Sequence, residues 1–180
     1  KVSDKILIVE NLLNIADHIL IGGGMAYTFF KAQGGNIGNS LCEDDRLDTC
    51  RSILKKAEEK GVKIHLPADS IIADKFDSHA NTQHAPSNEI ADEWMGLDIG
   101  NSATEQFSQV LLDSHTILWN GPMGVFEMEA FEKGTKGVAE AVAKATENGA
   151  FSLIGGGDSA AAVYRFGFED QVSYVSTGGG

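Results

Sequence analysis

Apolar residues recur along this chain in two rhythms. Over residues 4–16, Ile6, Val9, Leu12, Leu13 and Ala16 fall at helical spacing. Over residues 44–60, Leu47, Cys50, Leu54 and Ala57 share one face, and Gly61 follows as a stop. Phe107, Val110 and Leu111 mark a third helix, and Phe131, Thr135, Val138, Val142 and Ala145 a fourth. Asp158 is placed to N-cap a fifth, which Gly167 ends. Between the helices, short apolar runs near 18–21, 62–66, 69–73, 115–119, 151–154 and 172–176 read as strands. Strands alternating with helices predict βαβ units and a mostly parallel sheet covered on both faces. Residues 74–100 hold no strong period. A stretch that long is functional or carries small local structure.

Three glycine triplets punctuate this pattern: Gly22–Gly24, Gly155–Gly157 and Gly178–Gly180. The first two follow strand-like runs, His18 to Ile21 and Phe151 to Ile154, and each leads into a helical segment. A glycine turn there lets the backbone approach a ligand, and the helix N-terminus offers free N–H groups to an anion. The chain therefore reads as a phosphate or nucleotide binder. Gly155–Gly157 followed by Asp158-Ser159-Ala160 matches Gly-x-Gly-x-x-Ala, a weak dinucleotide signal alone. A nicotinamide-binding fold also wants an acid at the end of the next strand, about 20 residues on. Val175-Ser176-Thr177 stand there after the second triplet, and Glu43-Asp44, at a helix start, after the first. The dehydrogenase reading loses on that test. No P-loop pattern occurs either.

Charge narrows the ligand. The 180 residues carry a net charge of −12, which argues against non-specific binding to nucleic acid or an anionic membrane. A phosphate must be held by local N–H groups, a few lysines or a metal, against the global field. Length, a hydrophobic content of 42% and only 3 prolines describe one folded domain with a real core. Cys42 and Cys50 fit no zinc or redox spacing, and Cys50 belongs to an apolar stripe, so a reducing compartment is expected. The five histidines show no metal spacing, and His79 and His84 read as surface residues. No apolar run approaches the ~18 residues of a membrane span, and no signal-peptide pattern occurs. The chain opens at Lys1 without a methionine and stops at Gly180, where a helix is expected, so a fragment of a longer protein is expected.

Three groups of residues carry candidate chemistry. Lys1 and Lys5 flank the first helix start, where a lysine opposes the helix macrodipole by roughly 0.3–1 kcal/mol unless an anion is bound. The alternative is a pair of solvated surface lysines. Asp158 and Ser159 are either cap residues or, with nearby N–H groups, a carboxylate for Mg²⁺ and a hydroxyl for phosphate oxygens. Trp119 to Glu127 follows another strand. Its two glycines and one proline make a rigid turn that offers either an apolar slot with Glu127 at its mouth for ribose hydroxyls, or an ordinary loop with a solvated glutamate.

Taken together, six segments resemble phosphoglycerate kinase: Lys1 to Lys5, Ile21 to Phe29, Trp94 to Asp98, Trp119 to Glu127, Ile154 to Ser159 and Ser176 to Gly180. They match the family's C-terminal, nucleotide-binding half in order and spacing across the whole chain. The resemblance implies an α/β Rossmann-like three-layer αβα sandwich with a six-stranded parallel core sheet. It implies reversible phosphoryl transfer between ATP and 3-phosphoglycerate, giving ADP and 1,3-bisphosphoglycerate, by a monomeric cytoplasmic enzyme of glycolysis. Positions matching the family's nucleotide site are Gly23, Gly96 and Leu97 around the adenine, Gly121 and Met123 in the same slot, and Glu127 at the ribose. Lys1, Lys5, Asn120 and Ser159 match positions near the phosphates, and Asp158 matches the Mg²⁺ ligand. Lys5 matches the lysine that balances charge on the transferring group. Two departures are small: Met123 where many members carry valine, and Ser159 where many carry threonine. One is large: the N-terminal domain, which in the family holds the phosphoglycerate and an essential arginine, is absent. The chain alone is therefore expected to bind nucleotide but not to turn over.

Overall fold

A computed structural model describes residues 2–176, with side chains from Lys5 onward. Lys1 and the third triplet lie outside the described residues. The helices are α1 (Val2–Leu12), α2 (Met25–Ala32), α3 (Leu47–Lys60), α4 (Asn101–Leu112), α5 (Lys133–Glu147) and α6 (Gly157–Phe166). The strands are β1 (His18–Leu20), β2 (Asn36–Ile37), β3 (Lys63–His65), β4 (Asp69–Ala73), β5 (Thr82–Pro86), β6 (Glu89–Ile90), β7 (Met95–Ile99), β8 (Thr116–Trp119), β9 (Phe151–Gly155) and β10 (Tyr174–Ser176).

The fold is α/β with parallel strands, and its ladders fall into separate sets. β1 pairs with β3, and β8, β9 and β10 form a three-stranded set with β9 in the middle, all parallel. β2 and β6 make a two-residue parallel pair. One strand departs from the predicted pattern: β4 lies between β5 and β7, antiparallel to both, with a bulge between Ile71 and Ile72. Residues 74–100, where no period was visible, supply β5, β6 and β7. β5 is Thr-Gln-His-Ala-Pro with only Ala85 buried, so a hydropathy rhythm had nothing to register.

The sheet of β8–β10 also departs from two-faced coverage. Ile117, Trp119, Ser152 and Ile154 point into the core. Their alternating neighbours Leu118, Phe151 and Tyr174 are exposed by more than half.

Two apolar clusters hold the molecule together. One packs Ile6 and Val9 of α1, Phe29 of α2 and Ile53 of α3 around Ile19 and Ile21. The other packs Phe107 of α4 and Val138 and Val142 of α5 against Ile117, Trp119 and Ile154. Cys50 is fully buried in the first, as its stripe position required. Gly61 and Gly167 end α3 and α6 in the left-handed conformation, φ 72° and 78°, where a side chain would be strained. The stop signals of the sequence thus correspond to real caps. The start signal at Asp158 does not. Gly156 is the N-cap of α6, at φ 88° and ψ 151°, and Asp158 stands inside the first turn.

Candidate functional site

At the N-terminus of α6 a cavity of about 250 Å³ is lined by Lys5, Asn120, Gly121, Gly156, Gly157, Asp158 and Ser159. The sequence singles out all seven, five as candidate site residues and Gly156 and Gly157 as part of the second triplet, and they come from α1, the loop after β8, and the β9–α6 turn. The walls are fixed by hydrogen bonds. Gly121 has φ 119°, and both its polar groups are taken: its N–H donates to Ser159 Oγ at 2.6 Å, and its carbonyl accepts from Trp119 Nε1 at 2.6 Å. Ser159 is buried, and as a hydroxyl it retains its own proton to donate. A Cβ built on Gly121 would stand 3.0 Å from Lys5 Nζ, and one on Gly156 would stand 2.9 Å from Asn120 Oδ1. Lysine and asparagine therefore approach bare backbone. A Cβ on Gly157 would meet nothing within 4 Å, so this turn faces open space.

How the helix starts are satisfied separates α6 from its neighbours. The first turn of α4 donates to Asp69 of β4: Ala103 N–H to Oδ1 at 2.7 Å and Ser102 N–H to Oδ2 at 3.2 Å. The first turn of α5 donates to Asp98 of β7, Gly134 N–H to Oδ2 at 2.9 Å. Both aspartates are buried. Each supplies internally a carboxyl oxygen that accepts the otherwise free N–H groups of a helix start. α6 has no side-chain cap, and its opening residues line the cavity beside Lys5. Among the described residues Lys5 has no salt-bridge partner. The arrangement suits a bound anion.

A second set of predicted residues is joined through backbone. Gly23, at φ 68°, donates its N–H to Met123 C=O at 3.1 Å, and Val125 N–H donates to Leu97 C=O at 2.9 Å. The first triplet, β7 and the loop after β8 thus meet. Their glycines are needed for contact: a Cβ on Gly22 would stand 2.4 Å from Met123 Sδ, and one on Gly96 2.0 Å from Tyr27 Oη. Tyr27 is buried and hydrogen-bonds Ser70 Oγ at 2.9 Å, which in turn meets Ser87 Oγ at 2.7 Å. Burial pushes the Tyr27 hydroxyl up to about 12. Glu127 is exposed in the same loop.

Sequence reasoning missed several supports. Thr135 Oγ1, fully buried on α5, accepts from both Met123 N–H at 3.1 Å and Gly124 N–H at 3.2 Å. A hydroxyl within an otherwise apolar helical stripe was the available signal. Ser40 Oγ accepts from Gly96 N–H at 2.9 Å. Leu41 is 58% exposed yet packs over Gly24, where a Cβ would stand 2.6 Å from its Cδ2. Nothing in the sequence marks Ser40 or Leu41, whose contacts cross long stretches of chain.

The class defined so far is an α/β protein with a glycine-lined cavity, holding one lysine and one aspartate, at an uncapped helix start. The family model for phosphoglycerate kinase matches residues 1–180, and the chain belongs to that family. It is 59% identical over its full length to "Phosphoglycerate kinase" of Porphyromonas gingivalis, covering 43% of that protein. It is 51% identical to "Phosphoglycerate kinase 3, cytosolic" of Arabidopsis thaliana, covering 45%. The structure of phosphoglycerate kinase from Coxiella burnetii superposes on the whole chain with a TM-score of 0.95 at 45% identity, and 46% of that chain is covered. The chain thus spans less than half the length of these relatives. No helix among the described residues is long and apolar enough to cross a membrane.

Proposed function

We propose that residues 1–180 are the C-terminal, nucleotide-binding domain of a phosphoglycerate kinase, and that they hold MgATP or MgADP for phosphoryl exchange with 3-phosphoglycerate. The observation that carries this reading is the start of α6. It alone of the three helices α4, α5 and α6 lacks a buried carboxylate at its N-terminus, and it opens instead into a cavity with Lys5. A phosphate chain there takes the place that Asp69 and Asp98 occupy elsewhere. In this reading Asn120, Ser159 and the glycine N–H groups orient the phosphates, and Lys5 balances charge on the transferring group. Lys1 is proposed to join them. Gly23, Gly96, Leu97, Gly121 and Met123 enclose the base, and Glu127 meets the ribose hydroxyls.

The donor set fits magnesium. Asp158 presents an exposed carboxylate beside the open turn at Gly157, and Mg²⁺ is held by one or two carboxylates with phosphates and waters. Bound there, the ion supplies charge neutralisation on the phosphate oxygens. The parallel pair β1–β3 and the set β8–β10 belong, in this reading, to one six-stranded Rossmann-like core sheet. The protein works as a cytoplasmic monomer, and 3-phosphoglycerate is held by an N-terminal domain outside this chain. Positioning two substrates in line supplies much of such a rate, so residues 1–180 alone give only background in a coupled ATP/3-phosphoglycerate assay.

Isothermal titration with MgADP tests the reading. Binding is expected, with weakened magnesium dependence in Asp158→Ala and weaker binding in Glu127→Ala. A folded sample that shows no binding at millimolar MgADP would overturn the site assignment.

A further inference from the structure

Two histidines far apart in sequence meet on the surface. His18 opens β1 and His65 closes β3, with Ile19 opposite Ile64 and Leu20 opposite His65 in parallel register. The pleat puts His18, Leu20, Lys63 and His65 on one face. His18 Nδ1 and His65 Nε2 stand 3.0 Å apart, and the rings lie with centroids 5.2 Å apart and planes 27° apart. The strands beneath are fixed on both sides of the pair. Ile21 N–H donates to His65 C=O at 3.0 Å, and Lys63 N–H to Asp17 C=O at 3.0 Å. Neither ring has another hydrogen-bond partner among the described residues.

We propose that His18 and His65 form a surface chelate for one divalent transition-metal ion of the imidazole-preferring class, such as Zn²⁺ or Ni²⁺. Two nitrogens at about 2.0–2.1 Å from one tetrahedral ion stand about 3.3–3.4 Å apart. The observed 3.0 Å must open by only a few tenths of an ångström. Metal coordination needs a neutral imidazole. A hydrogen bond between two ring nitrogens already requires one of them to be an unprotonated acceptor. Lys63 is the opposing feature, an exposed ammonium on the same face. Among the described residues no group of three His, Cys, Asp or Glu side chains is placed around a metal, so waters fill the remaining positions.

The inference is independent of the nucleotide reading, because Mg²⁺ takes oxygen ligands and does not compete for imidazole. The site would cross-link β1 to β3 and stabilise the fold by mass action.

The test is titration of the purified protein, stripped with chelator, with NiCl₂ and separately ZnCl₂. One equivalent is expected to bind in the micromolar range and to raise the melting temperature. His18→Gln and His65→Gln should each weaken binding at least about tenfold, and neither should alter the far-ultraviolet dichroism, since His18 is exposed and His65 half-buried. In the unmutated protein, ¹⁵N imidazole spectra should show His18 Nδ1 and His65 Nε2 shifting together on Zn²⁺ addition while His79, His84 and His115 stay. Absence of binding up to about 1 mM metal overturns the proposal. So does binding that survives both substitutions, or spectra in which another histidine moves instead.

Discussion

Ser159 Oγ accepts the Gly121 N–H at 2.6 Å and so fastens the loop after β8 to the first turn of α6. The two residues are 38 positions apart, and the bond sets the width of the cavity between them. Ser159→Ala removes the acceptor and leaves the Gly121 N–H unpaired. The expected cost is about 1–3 kcal/mol of stability in urea unfolding, with weaker MgADP binding. Ser159→Thr keeps the hydroxyl and should restore both. If alanine and threonine behave alike, the hydroxyl does not hold the loop.

Much of this was legible in the sequence, and the reason is local. The helices, the capping glycines 61 and 167, and the strand–glycine–helix units depend on patterns within a few residues of each other. Among the candidate site residues, Asp158 sits inside such a unit and Gly121 in the turn directly after a strand. The antiparallel β5–β4–β7 set was not legible, because β5 is polar and nearly all exposed. Nor was the way helix starts are satisfied. Asp69 reaches α4 from 34 residues away and Asp98 reaches α5 from 36. Asp158 looked like a cap because capping is usually local. The carboxylates that bond the first turns of α4 and α5 here come instead from neighbouring strands.

Asp98 makes stability depend on pH. Burial pushes its carboxyl from 3.8 up to about 7, although the Gly134 and Ile99 N–H groups favour the charged form. The folded state therefore holds a proton that the unfolded chain has released. The contribution of this group is fully present below pH 3.8 and is lost as pH rises through about 7. Urea unfolding between pH 5 and 8 should show this loss, and Asp98→Asn should flatten it even while lowering stability at every pH. An unchanged slope in the variant would assign the dependence to another group.

Glu93 carries strain without visible compensation. It is the only non-glycine described residue with positive φ, at 71°, and it is exposed. It stands third in the turn closed by Trp94 N–H to Ala91 C=O at 3.1 Å, a place that favours glycine or asparagine. The left-handed conformation costs an ordinary residue about 1–2 kcal/mol, partly offset by the greater unfolded-state entropy of glycine. Glu93→Gly should be the most stable variant, Glu93→Asn intermediate, and Glu93→Ala no better than the parent. Denaturation midpoints order them, and a Glu93→Gly protein less stable than the parent would show that the side chain holds something the turn needs.

Gly96 decides what the proposed base slot accepts. A Cβ there would stand 2.0 Å from Tyr27 Oη and 2.2 Å from Cζ. Tyr27 is buried and tied to Ser70, so it has little room to withdraw. Gly96→Ala should cost about 1–3 kcal/mol as overpacking and push β7 toward the slot, weakening MgADP binding more than the stability loss alone explains. The slot itself consists of glycines, Leu97, Met123 and the exposed Leu41 over Gly24. None of these side chains reads a base edge by hydrogen bonding, and an apolar slot discriminates weakly. Competition titration should therefore place GDP within about a thousandfold of ADP. A larger gap would mean that backbone N–H and C=O groups of β7 or the first triplet read the base directly. Gly96→Ala would then narrow the gap, since displacing β7 would disturb that readout along with the packing.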